Sequence, residues 1–418
     1  MSNEVDPAGS PLSPGPPSVN PPKPDDLLAW RCEFPILDTS VYLISNSLGA
    51  MPRRVQESLN AYADTWATRG VRAWGDSWWE MPVRVGDLLG PILGCGPGEV
   101  SFHQNVTLAE AVVLSCFDFK GPRRKIVYTS MEFPSVMYLY QAQVPRGAEV
   151  SVVPSSDGIT IDLERLLSAI DERTLLVPVS HVLFKSAFIM DAHAIVRRAR
   201  EVGAYVILDV YQSAGTVPIS VEELGADFVI GGCLKWLCGG PGAAFLYVRP
   251  DLRRKLQPVL TGWMAHQDSF AFETEDIRYR EDAFRFLNGT PHIPCLYAAR
   301  PGLEIIGQIG VEAIRRKSLR QIGRLEALAR EEGFAVTAPL DPQQRGGTLA
   351  VDLPHAYEVS RELIRRNILV DYRPGAGIRI SPHFYTSDAE LETAIKQIRE
   401  IVETRAYERH SGARSYVT

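Results

Sequence analysis

No stretch of this chain is apolar over the roughly 20 residues that a membrane-crossing helix needs. The N-terminus lacks a basic segment followed by an apolar one, so no secretory signal is expected. Positive charge is not in excess. The 44 Lys and Arg stand against 50 Asp and Glu, for a net charge of −6. Nothing electrostatic therefore favours nucleic acid or an anionic membrane, and no basic stripe or DNA-reading motif is present. Cysteine is sparse. Cys32, Cys95, Cys116, Cys233, Cys238 and Cys295 lack the paired spacing of metal ligands. They read as reduced, mostly buried thiols of a cytoplasmic enzyme. The glycine cluster Gly239-Gly240-Pro241-Gly242 leads into a strand rather than a helix. The context of a nicotinamide-dinucleotide site is therefore missing.

What is present is ordinary globular composition: 418 residues, 45% hydrophobic and 22% charged, enough for a large core and two domains. Residues 1–26, rich in Pro, Ser and Gly, are expected to be a disordered leader. The stretch from Tyr205 to Val248 organises the rest. An apolar run, Tyr205 to Leu208, ends on Asp209. A second run, Asp227 to Ile230, leads through two glycines to Lys235, and a third strand covers Ala244 to Val248. Such runs read as buried strands of a parallel sheet. Leu175 to Val179, a helix over Ala192 to Val202 and the Asp209 strand form a βαβ alternation. Open α/β sheets bind ligands outside the carboxyl ends of their strands. Asp209 and Lys235, twenty-six residues apart at two such ends, can converge on one site.

This pattern, with Ser213-Ala214-Gly215 and Gly225-Ala226-Asp227 between the two residues, resembles the class V aminotransferase-like family of fold type I, dependent on pyridoxal 5'-phosphate (PLP). Kynureninases and cysteine desulfurases belong to that family. The resemblance runs from about Asp26 to Glu403. It implies an α/β fold with a mostly parallel, seven-stranded-type sheet flanked by helices, plus a small C-terminal α/β domain. The expected boundaries are 27–50 for an N-terminal segment packing with the small domain, 51–300 for the large PLP-binding domain, and 301–418 for a linking helix and the small domain. The linking helix is expected to run unbroken from about Gly302 through Glu332.

By the same resemblance Lys235 forms the Schiff base with the cofactor and Asp209 partners the pyridine nitrogen. The chemistry suits those residue types. A carboxylate favours the protonated ring that withdraws electrons, and a desolvated lysine serves as nucleophile and base. Thr107 with Glu110 has capping-box spacing, and a helix N-terminus suits phosphate; the resemblance implies that the cofactor phosphate sits there, held by Val106 and Thr107. Phe133, in Glu132-Phe133-Pro134-Ser135, is expected to stack on the cofactor ring. Asn46 and Ser47 lie in a phrase, NSLGA, close to the kynureninase N-terminal signature and are expected near the substrate. Trp263 and Thr290 match residues that reach the cofactor phosphate of the other subunit, which implies a homodimer with shared sites. Arg379, in Gly377-Ile378-Arg379-Ile380-Ser381, matches the arginine that binds a substrate α-carboxylate as a planar fork. The Trp66 to Trp79 stretch is expected in a core or a dimer interface.

The departures bear on the reaction. Kynureninases carry Tyr immediately before the lysine, and here Leu234 cannot donate a hydrogen bond. Gln212, as in desulfurases, stands where kynureninases have His, yet Ile368 to Gly377 holds no cysteine to carry a persulfide. The expected function is a lyase acting on a side-chain-substituted amino acid, by β-elimination from a cysteine S-conjugate or by decarboxylation with loss of the amine, in a specialised pathway. Kynureninase-type hydrolysis and transamination are the alternatives, and a non-catalytic relative is a third.

Overall fold

In the computed structural model, which describes residues 24–412, the apolar runs become strands. Most of the expected leader, 1–23, lies outside the described residues, and a 3-10 helix begins at Pro24. A short strand β1 (Val41–Tyr42) precedes seven others that form one sheet: β2 (Val100–His103), β3 (Lys125–Thr129), β4 (Glu149–Val153), β5 (Thr174–Ser180), β6 (Tyr205–Asp209), β7 (Phe228–Gly232) and β8 (Ala244–Val248). Their order is β2-β8-β7-β6-β5-β3-β4. Only β8 runs against its neighbours β2 and β7, and the rest are parallel.

Both faces of this sheet are covered, which is why its strands read as continuous apolar runs rather than alternations. Side chains still alternate between faces. Val206, Leu208 and Val229 enter one buried cluster, while Ile207, Phe228 and Ile230 enter the other. The helix Ala192–Val202 returns the chain from β5 to β6, capped by Asp191 and ended by Gly203. Register then aligns Ser180 with Asp209, and Asp209 with Ile230. Polar residues that close the strands thus share one edge of the sheet.

The small unit holds a four-stranded antiparallel sheet of β9 (Ala335–Thr337), β10 (Leu349–Asp352), β12 (Asp371–Arg373) and β13 (Gly377–Ile380), in the order β12-β13-β10-β9. The intervening β11 (Ile368–Leu369) pairs in parallel with β1. The single long helix expected to connect the two units is instead two, Ile293–Ile309 and Val311–Glu331. Gly310, with φ 81°, breaks it in a conformation that glycine adopts without strain.

Candidate active site

The run of β6 ends at Asp209 because the chain turns there, over Val210 to Thr216. The turn is tied back to the carboxylate: the Tyr211 N–H donates to Asp209 Oδ1 at 2.8 Å. Lys235 follows β7 on the next turn. A cavity of about 210 Å³ opens over these strand ends. Val106, Thr107, Phe133, Asp209, Gln212 and Lys235 all line it. Asp209 and Lys235 keep some surface, but that surface faces the cavity. Desolvation therefore dominates both groups. It raises the Asp209 pKa to about 6, against the opposing effects of the Tyr211 N–H and the Lys235 charge. It lowers that of Lys235 to about 8, although the Asp209 charge pulls the other way and Arg379 adds to the depression.

Phe133 caps the helix Pro134–Gln141 after β3 and is 44% exposed. The ring centre lies 5.8 Å from Lys235 Nζ and packs edge-on against Phe184. Val106 and Thr107 open the helix Val106–Leu114. Its cap differs from the expected capping box. Asn105 is the cap, its side chain accepting from the Leu108 N–H at 2.9 Å. Glu110 turns inward, where burial raises its pKa and the Tyr140 hydroxyl donates to it. The buried side of an almost wholly apolar helix outcompetes the local cap for that side chain. The helix N-terminus still presents first-turn N–H groups that lack intrahelical partners.

The N-terminal segment packs directly on the lysine turn. The Gly49 N–H donates to the Leu234 carbonyl at 2.9 Å, and a Cβ on Gly49 would lie 2.1 Å from the Lys235 carbonyl oxygen. Asn46 is buried, with neither side-chain polar atom partnered among the described residues. Its carbonyl accepts from Gln212 Nε2 at 3.0 Å, while Gln212 Oε1 accepts from the Trp236 indole N–H at 3.0 Å. Trp236 in turn accepts at its carbonyl from His383, with the ring Nε2 2.8 Å away. Ser47 is half-buried on the same segment, and neither it nor Asn46 lines the cavity.

Arg379 is buried on β13. Its Nε donates to Asp371 at 2.8 Å, its Nη2 also donates to Asp371, and its Nη1 donates to the Phe184 carbonyl at 2.5 Å. A guanidinium has five N–H groups. Three are used, leaving one on each terminal nitrogen, and Arg379 itself does not line the cavity. Arg373 also pairs with Asp371, at 3.2 Å, so two guanidiniums share one carboxylate and this edge stays net positive. Trp263 and Thr290 do not enter the cavity of their own chain. They line a separate groove of about 420 Å³ with Trp74, Trp79, Phe270 and Pro291. Trp78, by contrast, is buried and stacks on Tyr62.

Several site residues escaped the reading of the sequence. Asn105 was legible as a cap residue one position before the helix. Asp371, Tyr211 and Trp236 carry no motif and become visible only through their contacts with Arg379, Lys235 and Gln212.

The sequence model of the aminotransferase class V family matches residues 41–391. The chain belongs to that family. A kynureninase of Burkholderia pseudomallei (strain 1106a) is 30% identical over 404 residues, covering 92% of this chain and 94% of the relative. YcbU of Bacillus subtilis (strain 168), described as an uncharacterized aminotransferase, is 32% identical over 373 residues, covering 88% and 96%. Among solved structures, the apo cysteine desulfurase from Thermococcus onnurineus NA1 is similar with a TM-score of 0.80 at 23% identity, covering 90% of this chain and 98% of the other. The fold is that of fold type I PLP enzymes, and this family member is a PLP-dependent enzyme. The residues fit the cofactor. A desolvated amine, a buried carboxylate, an aromatic ring and a helix N-terminus converge on one cavity.

Proposed function

We propose that this enzyme is a lyase that eliminates the β-substituent of a cysteine S-conjugate. The observation that carries this reading is the composition of the cavity wall. Lys235 is the one amine among its lining residues, and neither His nor Cys accompanies it. Its neighbour Leu234 donates nothing. β-Elimination needs one base, whereas kynurenine hydrolysis must also activate water and protonate a carbon leaving group. Persulfide transfer needs a thiol at the site, and the segment Ile368 to Gly377 forms β11 and β12 without one.

PLP, when bound, supplies an aldehyde that exchanges amines and a ring that draws electrons from Cα. Asp209, on the cavity wall, would partner the ring nitrogen and keep it protonated. Val106 and Thr107, at the helix N-terminus, would hold the phosphate, and Phe133 would pack on the ring. The two open N–H groups of Arg379 would take the substrate carboxylate. Gln212 is turned by Trp236 so that its NH₂ group, with one hydrogen beyond that given to Asn46, is directed to donate. Lys235 Nζ takes the Cα proton. The Cβ–S bond then breaks, sulfur leaves with its electron pair and picks up a proton, and water completes the release of pyruvate and ammonium. A carboxylate gripped by arginine favours its retention over decarboxylation. A second copy of this chain would cover the exposed Trp263 and Phe270, and the groove they line would then complete the partner's site.

The test uses PLP-loaded enzyme and an S-substituted cysteine labelled at its carboxyl carbon, followed by mass spectrometry. Label in pyruvate supports elimination. Label in carbon dioxide replaces it with decarboxylation, and turnover of kynurenine alone would return the hydrolytic reading.

A further inference from the structure

One residue in the cavity has no role in the chemistry above. Tyr211 lies two positions after Asp209, and its backbone N–H is the donor that fixes that carboxylate. Its ring lines the cavity. The ring centre is 4.5 Å from Lys235 Nζ, nearer than that of Phe133 at 5.8 Å. The fold makes room for this ring at a specific cost in sequence. A Cβ on Gly232, the last residue of β7, would lie 2.6 Å from both Cζ and Oη of Tyr211. The hydroxyl therefore rests against the strand end that leads to the lysine turn. Buried tyrosine hydroxyls usually find a hydrogen-bond partner. Among the described residues, no protein group accepts from this one, although the side chain is half-buried. The oxygen of Asn105 is already taken by its own helix, and Leu234 offers the cavity no donor.

We infer that Tyr211 is a cofactor-contacting residue: its phenol donates a hydrogen bond to an anionic oxygen of bound PLP, and its ring face holds the Lys235 amine in place. Burial, with the nearby Cys233 and Asp209, pushes the phenol pKa well up, so the group remains a donor across the working pH range. A protonated amine over an aromatic face is attracted to it, which positions Nζ before the cofactor arrives.

The inference is tested on the full chain, stripped of PLP and titrated with it, with the dissociation constant read from visible absorbance. Tyr211→Phe keeps the ring and removes only the hydroxyl, and its fold is checked by thermal unfolding. The expected result is about a tenfold rise in the dissociation constant, about 1.4 kcal/mol. The midpoint of the pH dependence of the visible band should shift with it. Tyr211→Leu should weaken binding further, because the ring face goes as well. A Tyr211→Phe protein that binds PLP within twofold of the parent, with an unchanged midpoint, would overturn the proposal. A ring that merely filled space would give that second result, so the two roles separate. Pyridoxal in place of PLP then tells which oxygen accepts. If the phosphate does, the substitution weakens PLP only, and if a ring oxygen does, both weaken. The outcome does not depend on which bond of the substrate breaks.

Discussion

The Lys235 amine should behave as a weak acid of the cavity rather than as a surface lysine. Burial lowers its pKa from 10.5 to about 8. At pH 7 roughly one amine in ten is then free, against roughly one in 3,000 for an ordinary lysine. The difference, about 300-fold, corresponds to about 3 kcal/mol. Two consequences can be measured on protein freed of PLP. The rate of PLP incorporation, followed by the rise of visible absorbance, should climb with pH and level off above a midpoint near 8. Replacing Asp209 by Asn removes a charge that holds the pKa up, so the midpoint should move below 8 even as PLP affinity falls. Stability should follow the same linkage. Between pH 8 and 10.5 the unfolded chain binds more protons at this residue than the folded one, so stability rises with pH through that window. Below pH 8 the full cost of the buried charge applies, and Lys235→Met should relieve it in thermal or denaturant unfolding at pH 7. An incorporation midpoint near 10.5, or no gain from Lys235→Met, would refute the burial argument.

Removing the partner of Arg379 should be more damaging than removing most surface charges. Asp371→Ala leaves a buried guanidinium with Arg373 beside it and only the Phe184 carbonyl to accept from it, and should cost about 3–5 kcal/mol in denaturant unfolding. Arg379→Lys keeps the charge but loses the fork, so KM for the amino-acid substrate should rise at least tenfold while PLP binding is unchanged. Gly49→Ala places a methyl against the Lys235 carbonyl. It should destabilise the protein by about 1–3 kcal/mol and perturb the absorbance of bound PLP. Trp236→Phe removes the indole N–H from Gln212, an expected loss of about 1 kcal/mol, with a change in the pH dependence of PLP absorbance as its more specific readout.

The large sheet was legible because its information is local. A run buried on both faces needs nothing beyond its own side chains to read as a strand, and the ends of β6 and β8 fall where the apolar runs stop. The positions of Asp209 and Lys235 at neighbouring strand ends were legible for the same reason, each being the first polar group after a run. Misreadings arose where two local signals competed. Thr107 and Glu110 have the spacing of a cap, but the chain spends Glu110 on Tyr140, thirty residues away, and uses Asn105 instead. The helix after Gly302 has continuous periodicity, yet Gly310 at positive φ divides it so that the second half can turn onto the small sheet.

What stayed hidden is much of the support around Asp209 and Lys235, and it stayed hidden because it is made of long-range contacts. Gln212 is oriented by Trp236 and by the Asn46 carbonyl, 166 positions away in the chain. The carbonyl of that same Trp236 meets His383 from the small unit, 147 positions away. Burial lowers the His383 pKa to about 3, so near neutral pH it is uncharged. A neutral imidazole holds one ring proton, and with Nε2 against a carbonyl, that is where the proton belongs. The lysine turn is thereby pinned on one side by the N-terminal segment through Gly49 and on the other by the small unit through His383. A shift of either element must move the residues beside Lys235. The proposed approach of Arg379 to a substrate carboxylate, from β13 of the same small unit, would then be coupled to the setting of the lysine in one packed arrangement, which no single motif could spell out.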